Sequence, residues 1–221
     1  MTQEVIGSKH LLKLARAFHT KKQLGQHFLV DAEVLKTITA ALDLTEEDEV
    51  LEIGPGIGFL TRFLVASGAK ITGVELDRES IADLKALGLK NLTIKHGDFL
   101  AYDLNSGRFR EKGSEGWAEP DDSLQKKIKV VGNVPYQITG LILGHLLGEI
   151  DQQKSRTLAR VDRIVLMVQK EVAERMVARP GSKNYAQLSL LVEFFCDAEI
   201  IQSVSASQCF PPPKVDSSVI R

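Results

Sequence analysis

The residues best suited to chemistry stand where short apolar runs give way to turns. Gly54, Gly56 and Gly58 follow the first such run, in "LEIGPGIGFLT". Lacking a Cβ, they let a ligand approach the backbone and let a helix begin tightly. Their spacing is Gly-x-Gly-x-Gly, so the third glycine arrives one residue earlier than in the Gly-x-Gly-x-x-Gly turn of nicotinamide dehydrogenases. An uncharged or zwitterionic ligand therefore suits the turn better than a pyrophosphate. Glu75, in "GVELD", comes about 20 residues later, where a carboxylate can accept both hydroxyls of a ribose. Asp98, in "HGDF", can accept from an adenine amino group beside the apolar Phe99. Three strand ends in a row thus offer glycines, Glu and Asp to an adenosine with both hydroxyls free, and the implied cofactor is S-adenosylmethionine.

A fourth strand ends in "GNVPY", residues 132 to 136, and should lie beside the cofactor's methyl group. The exocyclic nitrogen of adenine is a poor nucleophile because its lone pair is delocalised into the ring. Hydrogen bonds to the Asn133 side-chain oxygen and the Val134 carbonyl would hold that nitrogen toward tetrahedral geometry. Pro135 stiffens the turn. Tyr136 offers a face on which a base can stack, worth about 1 to 3 kcal/mol in single-strand binders. Catalysis would come from positioning and electrostatics, with no general base of strongly shifted pKa.

These positions depend on a regular framework. "VDAEVLKTITAALDL" has its apolar residues on one helical face, with Asp31 placed to cap it. "EVLEIG", "KITGVEL" and "NLTIKHGD" then alternate with helical patterns over 59–66 and 79–87. "KIKVVGNVP", the apolar "TGLILGHLLGEI", "RIVLMVQ" and "EVAERMVAR" continue the alternation, and Pro180-Gly181 stops the last helix. A further helix is expected over 185–192, followed by the run "AEIIQSVSASQCF" and a final strand in "VDSSVIR". The pattern predicts an α/β fold with a mostly parallel twisted sheet and helices on both faces. Residues 104–127, rich in Gly, Ser and charge, read as an exposed insertion carrying Trp117.

At 221 residues and 43% hydrophobic content the chain can bury one substantial core. Its net charge of −1 excludes a uniformly basic nucleic-acid binder, but the charge is unevenly spread. Lys9, Lys13, Arg16, Lys21 and Lys22 face only Glu4 in the first 30 residues, and 151–183 carries eight Lys or Arg against four acids. These are two candidate phosphate-facing patches. The segment "KHLLKLARAFHTKK" fits an RNA-facing helix, an organelle-targeting segment or a membrane-surface helix. Two cysteines, Cys196 and Cys209, are too few for a disulfide framework or a four-ligand zinc site, and no metal is expected. No apolar run reaches the roughly 18 residues of a membrane span. The expectation is a cytoplasmic monomer, with an organellar location left open by the basic arm.

"QLGQHFL", "LEIGPGIGFLT", "VELD", "GDFL", "GNVPYQIT", "QKEVAERMVARPGSKNYAQLSLL" and "FPPPKVDSSVI", in this order, resemble the ribosomal RNA adenine dimethyltransferases, the kasugamycin-sensitivity family. The resemblance spans about 21–221. It implies a Rossmann-like methyltransferase that dimethylates two adjacent adenines near the 3′ end of small-subunit ribosomal RNA, with the immature small subunit as partner. It further implies that Gln26, His27 and Leu29 close over S-adenosylmethionine, with Gly54, Glu75, Asp98 and Asn133 as contacts, and that Phe210 stacks on the target adenine opposite Tyr136. His27 departs from the Asn common in the family, and Val134 from the usual Leu. The expected organisation is a basic arm over 1–30 with the cofactor-closing motif, then the methyltransferase domain over 31–221, without the family's C-terminal helical domain. The rival readings are a large-subunit adenine methylase conferring antibiotic resistance and a non-catalytic RNA-binding factor on the same fold. "GSKNYAQLSLL" favours the first reading over the resistance methylase, and intact Asn133, Pro135 and Tyr136 favour an enzyme.

Overall fold

The computed structural model describes residues 6–18, 25–111, 126–148 and 157–221. Lys21, Lys22, Trp117, Lys154 and Arg156, singled out above or within the charged runs, lie outside the described residues. Among the described residues there are eleven strands: β1 (Phe28–Leu29), β2 (Glu49–Ile53), β3 (Lys70–Glu75), β4 (Leu92–His96), β5 (Tyr102–Asp103), β6 (Arg108–Phe109), β7 (Ile128–Asn133), β8 (Val161–Gln169), β9 (Ile200–Val204), β10 (Cys209–Phe210) and β11 (Ser217–Ile220). The helices are α1 (Ser8–Ala17), α2 (Ala32–Ala41), α3 (Phe59–Val65), α4 (Arg78–Ala86), α5 (Thr139–Leu147), α6 (Lys170–Met176) and α7 (Gln187–Phe195).

Seven strands form one sheet in the order β4-β3-β2-β7-β8-β11-β9. Neighbours from β4 to β8 are parallel, while β11 runs antiparallel to both β8 and β9. The chain starts the sheet at β2, moves outward to β4, then returns to place β7 on the other side of β2. Strand order therefore reverses between β2 and β7, and a crevice opens there at the carboxyl ends, the usual ligand site of such sheets.

The period-two alternation of a strand divides its side chains between two cores. Val50, Val131, Val165 and Met167 join α1, α2 and α3 on one face. Leu51, Val130, Leu166 and Val168 join α5, α6 and α7 on the other. The α2 helix begins where Asp31 accepts from the backbone N–H of Glu33 and Val34, at 3.0 and 3.2 Å, as its capping position predicts. The α1 helix buries Leu11 and Ala15 completely, in the same core as Phe28, Leu29 and Val30. Packing is thus continuous across residue 30, and the apolar face of α1 is covered by protein.

Two expectations change. The segment from residue 104 is not exposed at its start: Leu104 and Ser106 are buried, and β5 and β6 form a small hairpin in which Phe109 meets Tyr102 edge-on at 5.2 Å. Leu104 supplies the apolar anchor and Ser106 donates to Asp103 at 2.8 Å, which outweighs the segment's polar composition. The second basic patch is partly structural as well. Arg160 is 8% exposed and donates to the carbonyls of Leu104 and Lys126, while Arg163 donates to that of Ala41. Arg175 pairs with Glu171 and Arg179 with Glu193. Guanidinium groups that donate to carbonyls and carboxylates of the same chain have fewer N–H groups left for phosphates.

Candidate active site

A cavity of about 300 Å³ opens at the carboxyl ends of β2, β3 and β7 and takes residues from the turn after β4. Gly54, Gly56, Glu75, Asp98, Asn133, Val134, Pro135 and Tyr136 line it, as do Gln26, His27 and Leu29 from the N-terminal segment. Gly54 takes φ +62, and a Cβ there would meet nothing within 4 Å, so the backbone is bare toward open space. Gly56 lies under the Phe28 ring, with a notional Cβ 3.0 Å from Cε1, so β1 closes over the glycine turn.

Glu75 is 6% exposed, and its carboxylate is already engaged by protein. Oε2 accepts from the Gly56 N–H and Oε1 from the Asp77 N–H, each at 2.8 Å. Burial raises its pKa, opposed by these backbone donors. With four acceptor sites, the carboxylate keeps capacity for a further donor beyond its backbone partners. Asp98 caps the turn after β4 by accepting from Leu100 N–H at 3.0 Å through Oδ1. Oδ2 accepts no bond among the described residues.

Asn133, the last residue of β7, donates through Nδ2 to the His27 carbonyl at 2.7 Å. A carbonyl can only accept, so this contact fixes which end of the amide is which. Oδ1 and the Val134 carbonyl accept no hydrogen bond among the described residues. The site thereby presents two adjacent acceptors. Pro135 and Tyr136 follow in a tight turn, where Thr139 Oγ1 donates to the Pro135 carbonyl at 3.1 Å. Tyr136 shares a 2.6 Å hydrogen bond with Ser217 Oγ, and burial raises its pKa, keeping it a neutral phenol.

Two sequence candidates stand outside the cavity lining. Gly58 has φ +85 and serves packing: a Cβ there would lie 2.6 Å from Leu84 Cδ1 and 2.9 Å from Leu87 Cδ1. Phe210 is half-buried against the core, and β10 pairs it with Phe28 of β1. Among the lining residues that escaped the sequence reading are Glu52, Leu76 and Gln137. Glu52 is 1% exposed and accepts from Thr61 Oγ1 at 2.7 Å; burial, aided by the charge of Glu75, pushes its pKa to about 8. Its signal was an acid inside an apolar run, "VLEIG". Leu76 lines the cavity while 52% exposed, and Gln137 also contributes to the lining.

A mostly parallel sheet with an antiparallel β11 and a cavity at the carboxyl ends of its parallel strands is the Rossmann-like fold of S-adenosylmethionine-dependent methyltransferases. A family model described as "Ribosomal RNA adenine dimethylase" matches residues 17–221, and the chain belongs to that family. It is 42% identical over 205 residues to "Ribosomal RNA small subunit methyltransferase A" of Nostoc sp., covering 91% of this chain and 70% of that protein. A protein of the same name from Clostridium botulinum is 40% identical over 206 residues, covering 92% and 67%. This chain thus spans about two thirds of the length of those relatives. Among solved structures, a dimethyladenosine transferase from Plasmodium falciparum superposes with a TM-score of 0.65 at 29% identity, covering 85% of this chain and 60% of that one. The 23S rRNA methyltransferase ErmE gives 0.64 at 26% identity, with 87% and 68% covered.

Proposed function

We propose that this protein transfers methyl groups from S-adenosylmethionine to the exocyclic amines of two adjacent adenines near the 3′ end of small-subunit ribosomal RNA, acting on the immature small subunit. The observation that carries the reading is the pair of free acceptors, Asn133 Oδ1 and the Val134 carbonyl, beside the glycine turn. An exocyclic amine carries two N–H donors, and these acceptors match them. The names of the relatives near 40% identity support the small subunit over the large one.

Gly54, Gly56, Glu75 and Asp98 would hold the cofactor, and Gln26 and Leu29 would cover it. When bound, it supplies an electrophilic methyl group on a sulfonium centre. Asn133 and Val134 act on the acceptor. By accepting hydrogen bonds from the amine's two N–H groups, their oxygens draw the nitrogen out of conjugation and localise its lone pair toward the methyl. They gain most as the nitrogen becomes positive and tetrahedral, which is selective stabilisation of the transition state. Once alkylated, the nitrogen is acidic enough to lose its proton to solvent, so no buried base is needed. Tyr136, held by Ser217, offers the base a face of fixed orientation.

Asn133→Ala separates positioning from binding. It is expected to lower the single-turnover rate at saturating RNA by about a hundredfold or more, the scale for losing one aimed polar group. Cofactor affinity should stay within a few fold, because Glu75, Asp98 and the glycine turn remain. A wild-type rate in this variant would remove Asn133 from the chemistry.

A further inference from the structure

The imidazole of His27 joins the turn after Phe210 to Tyr136, the ring on which the proposed target base would stack. The register of β1 and β10 pairs Phe28 with Phe210 and Leu29 with Cys209, so one further step sets His27 opposite Pro211. Residues 211, 212 and 213 are all proline, without N–H groups, and no backbone donor from that side can carry the ladder past Phe210. Side chains take over there. His27 Nδ1 lies 2.7 Å from the Pro211 carbonyl oxygen, and since that oxygen only accepts, Nδ1 carries the proton. The imidazole also lies against the Tyr136 ring, with centroids 5.8 Å apart and planes inclined by 21°. The His27 carbonyl, left without a ladder partner, accepts from Asn133 Nδ2 at 2.7 Å.

We propose that His27 is a positioning residue of the target-base site, whose side chain ties the turn after Phe210 to the Tyr136 ring and so sets the gap a base must enter. The proposal rests on the reading of Tyr136 and Asn133 given above. It assigns the His27 side chain to RNA recognition and only its backbone to the amide that orients the amine. Asn at this position keeps a donor at the same number of bonds from the backbone and loses the ring. Phe keeps a ring and loses the donor.

The test compares His27→Ala, His27→Asn and His27→Phe in methyl transfer to undermethylated small subunits, alongside calorimetric titration with S-adenosylmethionine. His27→Ala should raise the KM for RNA about tenfold, in line with one lost hydrogen bond and its ring contact, with the cofactor Kd within about twofold. His27→Asn, which keeps the donor to Pro211, should recover more of that loss than His27→Phe, which keeps only the ring. A cofactor Kd that rises in step with the RNA KM, or rescue by Phe as complete as by Asn, would overturn the proposal. Amide hydrogen exchange without RNA gives an independent arm: the amides of Phe28 and Phe210, which lie in the β1–β10 pair beside the tether, should exchange faster in His27→Ala. Unchanged exchange there would overturn the tether even if no RNA were methylated, a result that would count against the functional reading instead.

Discussion

Glu75 holds the backbone N–H groups of Gly56 and Asp77, so removing its carboxylate strips two buried donors of their partner as well as deleting a ribose acceptor. Glu75→Ala should weaken S-adenosylmethionine binding by roughly 1.5 to 3 kcal/mol, read by calorimetry; unchanged affinity in a folded variant would take Glu75 out of the site. Glu52 makes a different prediction. Burial first, then the Glu75 charge, hold its pKa at about 8 against an ordinary 4.5, with the Thr61 hydroxyl pulling the other way. The native state keeps this proton over a range where the unfolded chain releases it. The stability linked to it is complete below about pH 4.5 and is lost as pH rises toward about 8. Glu52→Gln keeps the acceptor for Thr61 and does not titrate. Its unfolding free energy in urea should therefore gain on that of the wild type as pH rises, by at most about 1.4 kcal/mol per pH unit. Parallel pH profiles would show that the wild-type Glu52 is ionised throughout.

The elements bring these residues together with little tolerance. Gly132, just before Asn133 in β7, has its notional Cβ 2.9 Å from the Ile53 carbonyl oxygen and 3.0 Å from Ile53 Cβ. Gly132→Ala must push β7 away from β2 where the amide meets the cavity. It should cost about 1 to 3 kcal/mol in denaturant unfolding and lower methyl transfer while the RNA KM changes little. Native stability in that variant would mean the strands yield freely. The sequence displayed much of this layer, because alternation and periodicity are local: the strands that lead to Gly54, Glu75, Asp98 and Asn133 fall where their patterns put them. What it concealed was long-range. Nothing near Gly58 announces Leu84 and Leu87, and nothing near Phe28 announces Phe210. The short β1–β10 pair brings together residues 182 apart, and neither strand has enough length to show a pattern. Arg160 reads from sequence as part of a phosphate-facing patch, whereas the distant carbonyls of Leu104 and Lys126 supply its acceptors.

Across the whole molecule, α1 places Lys9, Lys13 and Arg16 along one exposed stripe, opposite buried Leu11 and Ala15. None of the three is paired with an acid among the described residues, and the helix packs against α2 and β10, close to the cavity. Such a stripe suits the phosphates that flank a target base. Replacing all three with Gln should flatten the dependence of log K on log salt for a ribosomal RNA fragment by roughly two units, since each phosphate contact contributes about 0.7 to 0.9. An identical slope would make the stripe a solvated helix face. The proposed activity joins the cofactor cavity, the Asn133 amide and this surface in one act on a defined RNA. Its most direct test is to incubate the protein with labelled S-adenosylmethionine and undermethylated small subunits, then map the labelled nucleotides. The account predicts label on the exocyclic amines of two adjacent adenines near the 3′ end of the small-subunit RNA, lost when Asn133 is replaced by Ala. Label elsewhere, on large subunits alone, or undiminished in that variant would contradict it.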